Sequence, residues 1–371
     1  MGKSGILIVS TLVLYLRMLF VGFICVMIAS YIIYRNFQQN LPFLIVHISW
    51  TIRYIILAIK DIIHDQINAK HNRNGKYCLP QPGRIAIVTG GSRGIGLEVV
   101  KMFLELDMEV IIACRTPSAG EKAILQIRES GINTGQAKVY KLDNASLTSV
   151  KEFAAEIKRD YKQIHILVNN AGIIGYPYQE TIDGFEQHWA VNYLSHFLLT
   201  ALLIPLLKAG GHPEKSSRII NVSSCAHIIG KINFTDINNK NKYLSDSAYA
   251  QSKFAQVVFT NTLQELLKEK KYYVQVYSVH PGIVLTDLFD QYYLWRYKQI
   301  FGQYLFKSPR QGATSIVYAA VNKAMENCGG IYINNCRPTS VNPDALNLSI
   351  QKKLLELSLQ QVQLNDFFQY V

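Results

Sequence analysis

The chain has 371 residues, 49% of them apolar, and a formal net charge of +12. This length holds one α/β domain of about 250 residues plus roughly 80 more, and six scattered cysteines (25, 78, 114, 225, 328 and 336) exclude a small disulfide-stapled module and show no metal-ligand spacing. Residues 1 to 80 hold half of the charge, as Lys3, Arg17, Arg35, Arg53, Lys60, Lys70, Arg73 and Lys76 against Asp61 and Asp65, a basic skirt beside apolar segments that suits anionic lipid and not nucleic acid.

Residues 5–34 are almost continuously apolar, broken by Arg17, and are long enough to span a bilayer as a helix. A cleaved signal peptide ending near Ala29-Ser30 is the rival, but the stretch exceeds the usual signal core of about 7–15 residues, so a retained anchor is expected. A second apolar segment, 41–59, carries His47 and Arg53; it either completes a hairpin or, as expected here, lies in the interface with its charges among headgroups. The anchor is thus placed in 1–67, a polar linker with Pro80 and Pro82 in 68–83, a catalytic domain in 84–340 and a helical tail in 341–371. Positive-inside counting puts residues 60–84 on the cytoplasmic side, with the catalytic domain following them into the cytosol. The tail either packs on the domain or makes a further membrane contact.

Within the domain, strands are expected at 84–89, 109–114, 138–142, 164–169, 218–223 and 273–279, with a short closing strand near 330–333. Helical patterns fall at 95–106, 118–130, 146–161, 188–208, 247–269 and 310–324. This alternation predicts an α/β fold, a doubly wound parallel sheet of about seven strands with helices on both faces. Four sequons, at Asn144, Asn221, Asn233 and Asn347, are discounted, because Asn221 lies in an expected buried strand where a glycan has no room.

The chemistry sits in two motifs. After the first strand comes Thr89-Gly90-Gly91-Ser92-Arg93-Gly94-Ile95-Gly96, a glycine turn that opens a helix and presents backbone N–H groups to a pyrophosphate. Far downstream stand Tyr249 and Lys253, four apart and therefore on one helix face, where an ammonium favours the ionised phenol and fits the tyrosine for proton transfer.

The run of motifs resembles the short-chain dehydrogenase/reductase family from about Pro82 to Asn334. The matching pieces are the glycine turn, Asn169-Asn170-Ala171-Gly172, the strand end Val222-Ser223-Ser224, the Tyr249/Lys253 pair, Asn192, and His280-Pro281-Gly282 with Thr286. Ala113-Cys114-Arg115, the insertion between Ser223 and Tyr249, and Phe306 to Ala313 are most similar to the membrane-bound retinol dehydrogenase-like branch. The resemblance implies a Rossmann fold and hydride transfer between a nicotinamide and a carbinol carbon, with Tyr249 as acid/base and Ser223 bonding the same substrate oxygen. Lys253 is implied to lower the tyrosine pKa and grip the ribose, and Asn192 to hold a proton-carrying water. The implied cofactor contacts are Gly90, Ser92, Arg93, Gly94, Ile95, Gly96, Asn170, Ala171, Gly172, Tyr249, Lys253, Pro281, Gly282 and Thr286.

After the second strand the chain has Arg115 and no carboxylate, and Arg93 adds a second guanidinium, so NADP(H) is expected over NAD(H). Asp143 fits the carboxylate that the family sets against adenine. No metal is expected. An aromatic run over 288–306, including Phe289, Tyr292, Tyr293, Trp295 and Tyr297, stands where the family keeps its substrate lid. With the anchor it points to a long apolar alcohol or carbonyl, a retinoid or polyisoprenoid, at a membrane such as the endoplasmic reticulum. The rivals are a steroid or xenobiotic carbonyl reductase and an idle lipid-binding scaffold. Helices 188–208 and 247–269 match those that pair in dimeric relatives, so a homodimer is compatible with the sequence.

Overall fold

The computed structural model describes residues 21–22, 41–68, 78–241, 243–291 and 305–371. The expected span 5–34, most of the linker and most of the aromatic run lie outside the described residues, apart from helical Val21 and Gly22. The chain divides into two compact units, 1–57 and 58–371. Helix α1 (Leu41–Asn68) is longer than its apolar segment, and its last turns, from Ala58, belong to the second unit.

Among the described residues the second unit holds an eight-stranded sheet, formed by β1 (Ile85–Thr89), β2 (Glu109–Cys114), β3 (Gln136–Lys141), β4 (Ile166–Asn169), β5 (Ser217–Val222), β6 (Val274–His280), β7 (Tyr332–Asn334) and β8 (Arg337–Pro338). Their order is β3-β2-β1-β4-β5-β6-β7-β8, every pairing parallel but the last. The order reverses between β1 and β4, which opens a crevice at the strand C-termini there. Strands β4, β5 and β6 are buried throughout because helices cover both faces, and their polar residues, such as Arg218 and Asn221, are buried with hydrogen-bond partners. The added strand β8 follows a two-residue turn in which Asn335 and Cys336 both have positive φ, 52° and 57°. A cysteine in that position gives no turn signal, so the sequence stops at seven strands.

One face is packed by α2 (Gly94–Glu105), α3 (Pro117–Glu129) and α7 (Pro309–Val321), the other by α4 (Leu147–Asp160), α5 (Trp189–Gly210) and α6 (Ser245–Glu269). Helix α5 is long and apolar enough to cross a membrane, yet 89% of its apolar window is buried, so it serves as a core helix. Its first six residues form a π-turn. The tail forms α8 (Leu348–Val362), which packs on α6, and Phe367 beyond it is buried against Phe197 and Phe259 with ring centroids 5.2 and 5.7 Å away. Tyr193 and Ser358 hydroxyls meet at 2.7 Å and Trp189 Nε1 donates to Gln361 at 3.0 Å. The chain's own tail therefore packs on both α5 and α6.

Buried Asn221 donates to Thr260 at 2.9 Å and accepts from Asn169 at 2.8 Å, which leaves no place for a glycan. Among the described residues five cysteines are free thiols.

Candidate active site

Positive φ at Gly90 (66°) and Gly94 (58°) turns the chain from β1 into α2, a conformation that costs a side-chain-bearing residue but not glycine. A Cβ on Gly96 would sit 2.4 Å from the Gly90 oxygen, so α2 starts hard against the turn. No side chain caps the N-terminus of α2, which leaves its first N–H groups for an anion. A Cβ on Gly94 would face Thr286 at 3.6 Å, which places Thr286 across the turn. Ser92 is half-buried in the turn. Arg93 and Arg115 are exposed, and Gly90 N–H, bonded to Ala113 O at 2.8 Å, brings the ends of β1 and β2 that carry them together. Asp143 is partly buried, and one of its oxygens accepts from Ala145 N at 2.9 Å, which fixes its own loop.

The Asn-Asn-Ala-Gly segment ends β4 and is knitted to β1 by Thr89, whose Oγ1 accepts from the N–H groups of Asn170 and Ala171, both at 2.9 Å. Asn170 Nδ2 donates back to Thr89 O at 2.8 Å, so its side chain shapes the turn. His196, not singled out from the sequence, joins Thr89 (3.0 Å) to Asn144 (3.1 Å), and burial holds its pKa down at about 4, a neutral linker. Asn192 Oδ1 accepts from Ile173 N at 2.8 Å, and its Nδ2 donates to Ile173 O and Ser252 Oγ at 3.0 and 2.9 Å. Its backbone oxygen, freed by the π-turn, accepts from Gln256 at 2.8 Å and lies 3.0 Å from His196 Nδ1. The Asn192 side chain therefore fixes the segment after Gly172 to α6.

Tyr249 and Lys253 project from α6 at the C-terminal end of β5. Lys253 Nζ donates to Val222 O at 2.8 Å and sits 5.6 Å from the centre of the Tyr249 ring. A Cβ on Gly172 would lie 3.6 Å from that ammonium, so the Gly172 and Lys253 positions share one wall. Burial lowers the Lys253 pKa to about 7. Burial likewise pushes the Tyr249 phenol up, and a hydrogen bond with Ser224 opposes the shift. Ser223 is turned the other way, buried, with its hydroxyl donating to Lys253 O at 2.9 Å. The serine that faces Tyr249 is thus Ser224, not the Ser223 expected from the sequence.

Behind Tyr249 stands a further set the sequence reading missed. Glu186 Oε1 lies 2.7 Å from His188 Nδ1, Tyr243 donates to Glu186 at 3.1 Å, and the His188 ring meets Tyr249 edge-on at 6.4 Å. Its only sequence signal was a histidine four residues before Asn192. Pro281 and Gly282 are buried in the loop after β6, where Lys307 Nζ donates to Pro281 O at 3.3 Å. Asp61, Cys225 and His280 lie within 4.8 Å of one another, with Asp61 on His280 Nε2 and the Cys225 N–H on Nδ1. The ring thus stands between the other two, a hydrogen-bonded chain and not a chelate.

A glycine turn, an uncapped helix and a buried Tyr-Lys pair near the strand C-termini have counterparts. Residues 84–296 match the short chain dehydrogenase family model. This chain belongs to the short-chain dehydrogenases. The dehydrogenase is 39% identical over 284 residues to the polyprenol dehydrogenase of Homo sapiens, covering 76% of this chain and 86% of that protein. It is 40% identical over 293 residues to the polyprenol dehydrogenase of Danio rerio (77% and 90%), and 38% over 283 residues to retinol dehydrogenase 12 of Mus musculus (75% and 86%). Among solved structures, an uncharacterised protein from Mycobacterium paratuberculosis superposes with a TM-score of 0.64 at 28% identity, over 78% of this chain and 97% of that one. The dehydrogenase is an oxidoreductase of the alcohol dehydrogenase type.

Proposed function

We propose that this dehydrogenase is a membrane-anchored, NADP(H)-dependent enzyme that interconverts a long apolar alcohol, a polyisoprenoid or a retinoid, with its aldehyde. The observation that carries the reading is the buried Tyr249 beside Lys253, with Ser224 bonded to the phenol. Bound nicotinamide would supply the hydride acceptor or donor. The uncapped start of α2 and Gly90 to Gly96 would take the pyrophosphate, and Pro281, Gly282 and Thr286 would close on the nicotinamide end. Arg93 and Arg115 are exposed at the strand ends where the adenosine ribose belongs, which favours NADP(H), with NAD(H) as the weaker ligand. Asp143 would meet the adenine.

During oxidation Tyr249 takes the hydroxyl proton, and during reduction it returns that proton to the carbonyl oxygen; Ser224 bonds the same oxygen. A protonated Lys253 beside the ring lowers the cost of a phenolate, against the burial that raises it. The long apolar substrate is supported by the names of the similar proteins, by the apolar segment 5–34 and by the aromatic run 288–306. The basic residues up to Lys76 favour a domain on the cytosolic side of the endoplasmic reticulum membrane.

The test is NADPH consumption by the detergent-solubilised protein with polyprenal, retinal and a steroid ketone. Turnover fastest with the first two is expected. Preference for the steroid would replace the substrate class, and no turnover by a folded protein would favour a lipid-binding scaffold.

A further inference from the structure

The end of α1 is tied into the loop after β6 by buried charge. Asp61 and Asp65 are each 6% exposed. Asp61 Oδ2 lies 2.7 Å from His280 Nε2, and Asp65 Oδ1 lies 2.9 Å from Lys307 Nζ. Lys307 Nζ also donates to Asn335 Oδ1 at 2.8 Å and to Pro281 O at 3.3 Å, and Asn335 Nδ2 donates to Asp65 at 2.8 Å.

These contacts hold two stretches of backbone that are themselves joined. Leu285 N donates to Lys307 O and Lys307 N to Ile283 O, both at 2.9 Å, so the chain leaving the nicotinamide-end loop and the chain returning at Lys307 form one neck. Asp61 grips the residue before the loop and Asp65 grips the neck. Between them Gly282, at φ 88°, lies so close that a Cβ would come within 2.5 Å of both Asp65 Oδ2 and Lys307 Nζ. Buried ion pairs add little net stability compared with apolar packing, but they fix geometry. A helix joined by one ion pair to the residue before that loop and by another to the neck beyond it is placed to set the loop's position.

We infer that Asp61 and Asp65 are positioning residues for the nicotinamide end of the cofactor, so that the last turns of α1 form part of the catalytic unit and not of the anchor. The inference rests on the dinucleotide site proposed above.

The test uses the full-length solubilised protein with Asp61→Asn and, separately, Asp65→Asn. Calorimetric titration with NADPH and with adenosine 2′,5′-bisphosphate, which lacks the nicotinamide, separates the two ends of the site. Each variant is expected to weaken NADPH about tenfold and leave the bisphosphate unchanged. Unchanged NADPH binding overturns the inference. Equal loss of both ligands also overturns it, since the carboxylates would then serve the fold as a whole. A wild-type protein that binds neither ligand contradicts the dinucleotide site itself.

Discussion

Ser223 and Ser224 are neighbours at the end of a strand, and successive side chains there point to opposite sides. The two hydroxyls are chemically the same, so the motif alone does not say which one faces the tyrosine; the register of β5 against α6 decides it. Ser223 is spent on Lys253 O, while Ser224, whose Oγ accepts from Ala226 N at 3.2 Å, bonds Tyr249. Ser224→Ala is therefore expected to lower kcat about 100-fold or more, beside a stability cost of about 1 kcal/mol from the lost cap on Ala226 N. Ser223→Ala is expected to cost about 1 kcal/mol of stability, one buried hydrogen bond, and to leave kcat within a few-fold. Steady-state kinetics beside thermal melts separates the two; a catalytic loss confined to Ser223→Ala would restore the reading made from sequence. The Tyr249–Lys253 pair was legible because its spacing is local, whereas Asn192 and Lys253 hold contacts that were not. Their partners, Ile173 and Val222, come from remote segments.

At the scale of elements, most of the fold was legible. The apolar strands, the glycine turn and the amphipathic helices carry local signals, and β1 to β7 fall within two residues of where the sequence puts them. Helix α1 was half legible: its apolar part was visible, while the docking of its polar end depends on charges more than 200 residues away. That docking makes a pH prediction. Burial by itself lowers the His280 pKa, but Asp61, with Cys225, outweighs it and raises the value to about 10, while the Asp61 carboxyl, which burial alone would raise, is held down by His280. The stabilisation from the raised imidazole, offset by the Cys225 N–H bond that Nδ1 gives up on protonation, is complete below its ordinary value near 6.5 and is lost as pH rises toward about 10. The melting-temperature advantage of wild type over Asp61→Asn should thus be largest near pH 6 and vanish near pH 10. An advantage constant across that range would show that the pair carries no charge linkage.

Across the whole molecule, the tail decides how the second unit meets its surroundings. The sequence left open whether 341–371 packs on the domain or touches a membrane; α8 and Phe367 pack on α5 and α6. Amphipathic spacing was present in the tail, but its target was not, since Phe197 and Phe259 lie on helices that read equally well as a dimer face. Phe367→Ala is expected to cost about 3–5 kcal/mol, the figure for emptying a buried ring site. Denaturant unfolding would measure it, and a cost below 1 kcal/mol would mean that the tail is not part of the core.

The central claim is hydride transfer to a long apolar carbonyl at the Ser224–Tyr249 site. The most direct measurement supplies the solubilised protein with polyprenal and NADPH deuterated at the transferring position, and reads the product by mass spectrometry. The account predicts one deuteron on the carbinol carbon of the alcohol, and its disappearance in Tyr249→Phe. An undeuterated or absent alcohol from a wild-type protein that binds NADPH, or label retained in full by the Tyr249→Phe variant, would contradict it.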